Sequence, residues 1–324
     1  MITPRFWQAK NLIRTALLPA SLIYRAGTWA DRTFTRPKRA SLPVISIGNI
    51  TAGGAGKTPA TLALIPILRA LGHTPHILTR GYGGAKLNAH RVMETDDWHR
   101  VGDEALLLTQ AAPTWVGRNR HLSATAAANA GATILLCDDA LQHHALYKNI
   151  SILVIDGPYG IGNGALIPAG PLRETLARCA KRCDAAIIIG ADAHHLAARI
   201  SIPTFMASIQ PTATIATLQK VKWLAFAGIG RPEKFFDSLR ALGTHLVATR
   251  AFADHHAYTT ADIKTLITDA KKSGARLITT TKDAVKLPPA LRDGIEVLPI
   301  ELRFEKPTEF TQFLSAAMAK TSTS

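Results

Sequence analysis

The sequence predicts an α/β protein of two α/β/α sandwich domains with mostly parallel sheets, preceded by an amphipathic N-terminal helix. Short apolar runs rich in β-branched residues alternate with helical patterns from residue 43 onward, which is typical of parallel strands joined by crossover helices. A glycine-rich turn follows the first of these runs. At 324 residues, the chain also exceeds the size at which one hydrophobic core usually stops growing.

The N-terminal segment, residues 1–40, is predicted to contain a basic amphipathic helix over residues 5–32. Apolar side chains recur there at intervals of three or four residues. They are Phe6, Ala9, Ile13, Leu17, Ala20 and Tyr24. Arg14 and Pro19 interrupt the apolar run, which is shorter than the ~20 residues that a bilayer-spanning helix needs. A helix lying in the membrane interface fits these features, and the alternative is an ordinary helix packed on the domain.

Residues 41–200 are predicted to form the first α/β domain, with a sheet covered on both faces because its strands are almost continuously apolar. Its expected strands are 43–48, 74–79, 132–138, 151–156 and 185–190. Residues 201–218, which include an expected strand over 203–208, are predicted to be a linker or hairpin. Residues 219–324 are predicted to form a smaller C-terminal α/β domain that ends in a frayed tail over 319–324. Its expected strands are 223–230, 244–249, 276–281 and 295–300.

The net charge of +15 is concentrated toward the N-terminus, where residues 1–93 hold thirteen Lys and Arg against Asp31 as the single acid. Such a charge favours a polyanionic partner, meaning nucleic acid, an anionic membrane face or a phosphorylated substrate. An aromatic content of 6% is too low for the stacking platforms of single-stranded nucleic-acid binders. Cys137, Cys179 and Cys183 form no even-numbered disulfide framework and fit buried thiols in a reducing compartment.

The run 46-SIGNITAGGAGKTP-59 has the form of a phosphate-binding loop between a strand and a helix over 60–71. It departs from the pattern G-x-x-x-x-G-K-[ST] only at Thr51, which stands in place of the first glycine. Lys57 can reach the β- and γ-phosphates of a nucleotide, and the Thr58 hydroxyl can bind Mg²⁺. The first domain is therefore predicted to be P-loop NTPase-like. The predicted nucleotide-binding residues are Thr51, Ala52, Gly53, Gly54, Ala55, Gly56, Lys57 and Thr58.

The second element of a nucleotide site is an acidic strand end. The apolar run 134-ILLCDD-139 ends in Asp138 and Asp139. Ligands bind at the carboxyl ends of strands in open α/β sheets, so one of these carboxylates would hold a nucleotide-bound Mg²⁺. The alternative is an acidic turn without function. The nearest match to a guanine-specificity element, Thr281-Lys282-Asp283, has the wrong spacing, which favours ATP as the nucleotide.

Over nearly its whole length the chain resembles the tetraacyldisaccharide 4'-kinases of lipid A synthesis. The motifs that carry the resemblance are 48-GNITAGGAGKTP-59, 80-RGYGG-84, 101-VGDEA-105, 138-DDALQH-143, 163-NGALIPAGPLRE-174, 226-FAGIGRPEKFF-236, 252-FADHH-256 and 279-TTTKDAVKL-287. Members of this family also carry a Thr- or Ser-led loop without the first glycine. The chain departs from the family pattern at Ala140, where glycine usually follows the paired aspartates.

The resemblance implies ATP-dependent phosphorylation of the 4'-hydroxyl of a tetraacylated glucosamine disaccharide 1-phosphate, giving the 1,4'-bisphosphate. The partners it implies are an anionic glycolipid and the cytoplasmic face of the bacterial inner membrane, on which the protein would lie peripherally, and no nucleic acid. It also implies two α/β/α domains that face each other across a cleft. The oligomeric state stays open.

The resemblance further implies Asp103 as the base that accepts the proton of the sugar hydroxyl, with His255 of the second domain orienting or polarising it. Lys57 would neutralise charge on the transferred phosphoryl group. The alternatives are that Asp103 caps the helix over 104–110 and that His255 is a packed loop histidine. The metal candidates are Thr58, Asp138, Asp139 and Glu174. The substrate candidates are Arg120, Asn163 and Arg173.

Two functions of other classes remain open at this point. A membrane-associated switch ATPase would use the same loop and basic helix without a small-molecule acceptor. A nucleic-acid-binding protein would use the positive charge alone, and would show steeply salt-dependent duplex binding.

Overall fold

The computed structural model describes residues 4–212 and 218–322, within which strands and helices alternate. The strands are β1 Val44–Gly48, β2 Pro75–Thr79, β3 His90–Arg91, β4 Thr114–Val116, β5 Ile134–Asp138, β6 Ile150–Asp156, β7 Ala185–Ile189, β8 Thr204–Pro211, β9 Lys222–Ala227, β10 His245–Ala251, β11 Arg276–Thr280, β12 Ile295–Leu298 and β13 Ile300–Phe304. The α-helices are Leu12–Phe34, Lys57–Ala70, Trp98–Val101, Asp103–Thr109, Arg120–Asn129, Leu176–Ala180, Pro232–Ala241, Thr260–Lys272, Thr281–Ala284 and Pro307–Ser322. Short 3-10 turns cover Arg5–Trp7, Ala197–Arg199 and Pro289–Leu291.

Two sheets organise these elements. The larger has nine strands in the order β13-β8-β7-β6-β1-β5-β2-β4-β3, and the smaller has four strands in the order β10-β9-β11-β12. All pairs are parallel except β13 with β8 and β3 with β4, at the two edges of the larger sheet. Each of the ten predicted strands is present, so the predicted α/β class with mostly parallel sheets is confirmed.

The central strands of the large sheet are buried on both faces because their side chains are aliphatic on both sides. The helix Lys57–Ala70 inserts Leu64, Ile65 and Leu68 into a core on one face. The opposite face is covered by the helix Leu176–Ala180 and by the helix Arg120–Asn129. Such burial is worth roughly 1.5–3 kcal/mol for each large aliphatic side chain, which fixes the strand ends that carry the polar residues described below.

The C-terminal residues return to the large sheet, which differs from the expected assignment of 219–324 to the second domain. Pro299 divides the predicted strand 295–300, and β13 pairs antiparallel with β8. Phe310 and Leu314, on the last helix, are completely buried in the same core as the helix Lys57–Ala70. The run expected as a linker contains strand β8, and residues 319–322 of the expected frayed tail belong to the last helix. Residues 213–217 of that linker and 323–324 of that tail lie outside the described residues. We therefore place the domain limits at 41–212 together with 300–322, and at 218–298.

The N-terminal segment differs in detail from the predicted helix over 5–32. A 3-10 turn buries Trp7, and the α-helix itself covers Leu12–Phe34 and continues through Pro19. Ser21 faces the protein, and Leu17, Ala20 and Tyr24 are half-buried on the same side. The opposite side is apolar and open. Its most exposed large side chains are Leu12 (88%), Leu22 (64%), Ile23 (76%) and Phe34 (79%).

Among residues 4–212 and 218–322, no helix combines the length and the apolar content that a bilayer crossing requires.

Candidate active site

Three neighbouring strands of the large sheet end at the same edge, and each leads into polar residues. The glycine-rich loop follows β1, Asp138 ends β5 and Asp156 ends β6. Because β1 pairs with β5 on one side and β6 on the other, these groups are adjacent. The chain leaves β1 toward one half of the sheet and later crosses to β6 in the other half, so this edge is a topological switch point, where open α/β sheets bind ligands.

The loop takes a backbone conformation that requires glycine at Gly56. Its φ is +83°, it precedes the first turn of the helix Lys57–Ala70, and an added Cβ would lie 2.5 Å from Ile189 Cδ1. Gly53 also has a positive φ, of +111°. A helix N-terminus that opens on such a loop presents free N–H groups, which is the arrangement that binds phosphate.

Thr51, which replaces the usual first glycine, is part of the loop's support. The side-chain amide of buried Asn49 donates to the Thr51 carbonyl at 2.8 Å and lies 3.3 Å from its hydroxyl. The next residue, Ala52, donates its N–H to Pro171 at 2.8 Å. The loop is therefore held from behind by β1 and by the segment around Pro171, which does not depend on a glycine at position 51.

Lys57 lies over the loop between two oxygen acceptors. Its ammonium is 3.3 Å from Asn49 Oδ1 and 3.4 Å from Asp139 Oδ2, with 11% of the side chain exposed. These two contacts hold the Lys57 ammonium next to the loop. An anion bound by the N–H groups of the loop would therefore lie beside it.

Asp138 is fully buried and only half satisfied. Thr61 donates to its Oδ1 at 3.0 Å, whereas Oδ2 has no hydrogen-bond partner among the described residues. Burial, with the neighbouring Glu104 and Asp139 carboxylates, raises the pKa of Asp138 to about 7 against the opposing effect of Lys57. A buried carboxylate oxygen without a partner is a poor arrangement for the protein alone and suits a cation.

Asp139 differs sharply from its neighbour. Burial raises the pKa of Asp139, but Lys57 and Arg173 outweigh burial and hold the pKa below its ordinary value. The Arg173 guanidinium donates to Asp139 Oδ1 at 3.0 Å and to Oδ2 at 3.3 Å. Asp139 also takes a φ of +48°, which aims its side chain back toward the loop. Arg173 thus meets a carboxylate at the site, and both groups are partly exposed.

Glu174 is engaged within the protein. Arg182 binds both of its oxygens, through Nε at 3.1 Å and through Nη2, and the Gln142 amide donates to Oε1 at 2.9 Å. Gln142 also donates to the Asn49 carbonyl at 2.9 Å. In the described part of the chain, no three His, Cys, Asp or Glu side chains group as a protein-only metal site. Mg²⁺ commonly takes one or two carboxylates and completes its shell with phosphate and water, so the Asp138 and Asp139 pair fits it.

Two of the predicted substrate residues are buried. Arg120 is 3% exposed and donates Nη2 to the carbonyls of Asp138 and Asp139 at 3.2 and 3.4 Å, while its Nη1 has no described partner. Asn163 is 6% exposed, donates to the Phe6 and Ala169 carbonyls at 3.1 and 2.9 Å and accepts from the Ala165 N–H. Arg120 therefore supports the acidic turn, and the Asn163 amide ties the N-terminal segment to the 163–172 loop.

Asp103 and His255 meet across the space between the two sheets. His255 Nδ1 lies 2.9 Å from Asp103 Oδ2, so Nδ1 carries the hydrogen when Asp103 is ionised. Burial raises the pKa of Asp103, but the His255 hydrogen bond and Lys282 outweigh burial and lower it. The cap of the helix Asp103–Thr109 is Gly102, and the one backbone N–H that the Asp103 side chain accepts among the described residues is that of Glu104, at 2.9 Å. The helix-cap alternative for Asp103 is therefore wrong.

A second contact joins the same two regions. Lys282 donates to Glu104 at 2.9 Å, and carboxylates, chiefly that of Glu104, raise the pKa of Lys282 although burial lowers it. The following Asp283 is completely buried against Lys286 and accepts the Gly228 N–H. Thr281-Lys282-Asp283 thus serves the contact between the domains and the interior of the second one.

Several residues at this edge were not predicted individually. Asn49, Thr61, Gln142 and Arg231 hold the loop or the acidic pair through the contacts given above and below. Asn49, Gln142 and Arg231 stand inside the motifs 48–59, 138–143 and 226–236, so their position in a motif was the available signal. Thr61 follows Lys57 by one helical turn, and a hydroxyl at that spacing was the signal for it.

Comparison with known proteins gives one family. A family model described as tetraacyldisaccharide-1-P 4'-kinase matches residues 13–319. The tetraacyldisaccharide 4'-kinase of Paramagnetospirillum magneticum is 44% identical over 315 residues, covering 96% of this chain and 97% of that protein. The one of Rhodospirillum rubrum is 44% identical over 319 residues, covering 96% of each. A crystal structure of LpxK from Aquifex aeolicus, described as an "apo" form in complex with ATP, superposes with a TM-score of 0.75 at 24% identity, covering 94% of this chain and 99% of that one.

Proposed function

The chain belongs to the tetraacyldisaccharide-1-phosphate 4'-kinase family, and on that premise we propose that it transfers the γ-phosphate of ATP to the 4'-hydroxyl of a tetraacyldisaccharide 1-phosphate. The observation that carries the chemistry is the 2.9 Å contact between Asp103 and His255. It joins a carboxylate and an imidazole from different domains, and Glu104, the residue after Asp103, is near enough to Asp138 to raise its pKa. Transfer to an acceptor hydroxyl requires such a base on the side of the phosphates.

Asp103 is the proposed base. Its carboxylate would accept the hydroxyl proton as the oxygen attacks phosphorus, which contributes ~10²–10⁴-fold to such reactions. His255 would orient this carboxylate through Nδ1–H, and its other ring nitrogen faces Asp254 at 3.9 Å. Because Asp103 lies in the first domain and His255 in the second, the pair forms only when the two domains are together.

The residues around the loop would hold the nucleotide and its metal. The N–H groups of residues 53–58 and the Lys57 ammonium would bind the phosphates, while Thr58, Asp138 and Asp139 would hold Mg²⁺. Bound Mg²⁺ neutralises charge on the phosphates during transfer. The unpartnered Asp138 Oδ2 supports this assignment. We assign Glu174 to the support of the loop, because Arg182 and Gln142 already occupy its oxygens.

Arg173 remains the proposed substrate or phosphoryl contact, since part of its guanidinium is exposed beside Asp139. Guanidinium groups bind phosphate oxygens in pairs. For Arg120 and Asn163 we propose supporting roles, because their hydrogen bonds go to the backbone of the acidic turn and of the 163–172 loop.

The N-terminal helix would lie on the membrane surface. Its open side carries Leu12, Leu22, Ile23 and Phe34, and its neighbouring basic residues suit anionic headgroups. An anionic glycolipid substrate is held in the bilayer by its acyl chains, so an enzyme that acts on it has to work at that surface. We propose the cytoplasmic face of the inner membrane, where ATP is available.

The reaction is tested with purified protein, Mg²⁺-ATP and a tetraacyldisaccharide 1-phosphate in detergent micelles. The expected product is the 1,4'-bisphosphate, with one ADP formed for each acceptor consumed. ATP hydrolysis at the same rate without acceptor, and no lipid product, would instead establish the switch-ATPase alternative.

The membrane proposal is tested separately by binding to vesicles that contain anionic lipids. Leu22→Glu and Ile23→Glu should each weaken binding by roughly tenfold or more, as expected for ~1.5–3 kcal/mol of apolar burial per side chain. Leu122→Glu, at a 47% exposed position on another helix, is the matched control. Equal vesicle binding by all three variants would contradict an interfacial role for this helix.

A further inference from the structure

A second set of contacts joins the two domains at the carboxyl end of β6. Asp156 is 4% exposed there and is bound by Arg231 and Lys234, which stand at the beginning of the helix Pro232–Ala241. The Arg231 guanidinium also donates to the Gly54 carbonyl at 2.8 Å and lies over the Tyr159 ring, 4.8 Å from its centroid. Arg231 therefore connects the second domain to the phosphate-binding loop itself.

This attachment lies on the opposite side of the loop from Asp103 and His255. The strands run in the order β6-β1-β5-β2-β4 across the site. Asp156 ends β6, whereas Asp103 begins a helix whose Leu106 packs with Val116 of β4. The loop after β1 thus lies between two of the places at which the described residues of the second domain contact the first.

Two separated attachments restrict the second domain more than one does. The contacts of His255 and Lys282, with the packing of Val285 against the cluster of Val101 and Val116, hold the second domain on one side of the site. A bond on the far side opposes rotation about these contacts and helps to fix how His255 meets Asp103. The attachment is also specific, because a buried carboxylate that loses its cations becomes an uncompensated charge.

Arg231 suits this position better than its neighbour Lys234. One amino group of the Arg231 guanidinium, Nη2, donates to both the Asp156 carboxylate and the Gly54 carbonyl, while the planar guanidinium lies over the Tyr159 ring, a contact that an ammonium group makes less well. The Lys234 side chain is 49% exposed and the Arg231 side chain 25%, so solvent screens the Lys234 charge more than that of Arg231.

We propose that Arg231, bound to Asp156 and to the Gly54 carbonyl, is a positioning residue that sets the alignment of His255 on Asp103. This inference rests on the proposed kinase function. Because Gly54 belongs to the phosphate-binding loop, its carbonyl is within reach of Arg231 only while the loop holds this conformation, so this bond would tie alignment of the base to the state of the nucleotide site.

The test measures kcat and the KM for ATP in Arg231→Ala, His255→Ala and the double variant. Misplacement of a catalytic group by about 1 Å costs ~10²-fold in rate, so Arg231→Ala should lower kcat by roughly 10–100-fold with the KM for ATP changed by less than about threefold. In the His255→Ala background, Arg231→Ala should lower kcat by less than about twofold, because no histidine is left for Arg231 to align.

Controls separate this role from others. Arg231→Lys keeps the charge on Asp156 and should recover part of kcat, and Asp156→Asn should reproduce the loss without adding to that of Arg231→Ala. Arg240→Ala, on the same helix and paired only within it to Asp237, should keep wild-type kcat. Melting temperatures of the variants confirm that each is folded.

Two results would overturn the inference. Losses that multiply in the double variant mean that Arg231 acts on the phosphates and not through His255. An Arg231→Ala enzyme with wild-type kcat means that the attachment is dispensable. If the wild-type protein has no lipid kinase activity, the proposed function itself is wrong. The kcat of the wild type, measured before that of any variant, reveals this.

Discussion

Replacing Asp103 by Asn changes the proposed base and little else. The two side chains have the same shape, and Asp103 is only 2% exposed with its oxygens 2.9 Å from the Glu104 N–H and from His255 Nδ1. The amide retains one acceptor oxygen and turns its NH₂ toward one of these donors. We therefore expect a loss of stability of about 1–3 kcal/mol, and a folded protein at 25 °C.

The effect on catalysis should be much larger than the effect on stability. A positioned base contributes ~10²–10⁴-fold, which is about 3–5 kcal/mol of activation free energy at ~1.36 kcal/mol per factor of ten. The His255 and Lys282 contacts outweigh burial and hold the pKa of Asp103 below its ordinary value, so the wild-type carboxylate is ionised throughout the neutral range. Asn cannot accept the proton at any pH, so raising the pH should not restore turnover.

The assay follows the lipid bisphosphate at saturating ATP and acceptor, with Mg²⁺-ADP affinity measured by calorimetry. Asp103→Asn should reduce kcat by at least ~10²-fold and leave nucleotide affinity within about threefold, because Asp103 contacts neither the loop nor the acidic pair. Asp97→Asn, an exposed N-cap of the preceding short helix, controls for the loss of a nearby carboxylate. If Asp103→Asn keeps turnover within about fivefold of the wild type, another group is the base and the role given to His255 has to be abandoned with it.

Three further predictions concern the loop, the acidic pair and the N-terminal segment. Lys57→Ala should weaken Mg²⁺-ATP binding by roughly tenfold or more, since hydrogen bonds to charged groups contribute about 1.5–3 kcal/mol; unchanged affinity by calorimetry would contradict the phosphate-binding role. Asp138 has a folded-state pKa of about 7, above its ordinary value, so its protonated form stabilises the protein below about pH 4 and this stabilisation is lost as the pH rises through 7. At ~1.4 kcal/mol per pKa unit, Asp138→Asn should therefore melt above the metal-free wild type at pH 8, with a gap that narrows toward pH 4; a gap independent of pH would show that the carboxyl titrates normally. Asn163→Ala should lower the free energy of unfolding by about 1–3 kcal/mol through lost buried hydrogen bonds, with ATP affinity kept; a variant of normal stability but reduced affinity for the lipid would return Asn163 to substrate binding.

The elements that the sequence predicted well are those whose signal is local. A strand, a glycine-rich turn and a helix follow one another within residues 44–70, so the position of the phosphate-binding loop could be predicted without knowing the rest of the fold. The acidic pair at residues 138–139 was predicted because it directly follows an apolar run and because the strand ends of a parallel sheet share one edge. The Asp103 and His255 pairing came from the family resemblance, because 152 residues separate the two side chains in the chain.

What could not be predicted depends on which surfaces meet. The apolar pattern of residues 307–322 shows that this helix has a buried side, but the pattern is the same whichever sheet it covers, so its return to the large sheet could not be deduced. The polar groups of Asn163 gave no sign that all their partners are backbone groups. In the same way, a basic residue such as Arg231 has many acidic candidates in a sequence, and only the fold selects Asp156, 75 residues away.

One segment, residues 163–174, links the N-terminal helix to the candidate active site. Ser21 of that helix donates to the Leu166 carbonyl at 2.9 Å, and Trp7 donates its indole N–H to Pro168 at 3.0 Å. The far end of the same segment accepts the Ala52 N–H on Pro171 and binds Asp139 through Arg173. On the proposed membrane surface, the height of the site above the bilayer would be set by this short, hydrogen-bonded path and not by a flexible tether. Because the acceptor hydroxyl of the proposed glycolipid substrate would stay at a fixed depth in the interface, we propose that this path lets Asp103 and the γ-phosphate reach that depth together, with the N-terminal segment serving substrate alignment as well as membrane binding.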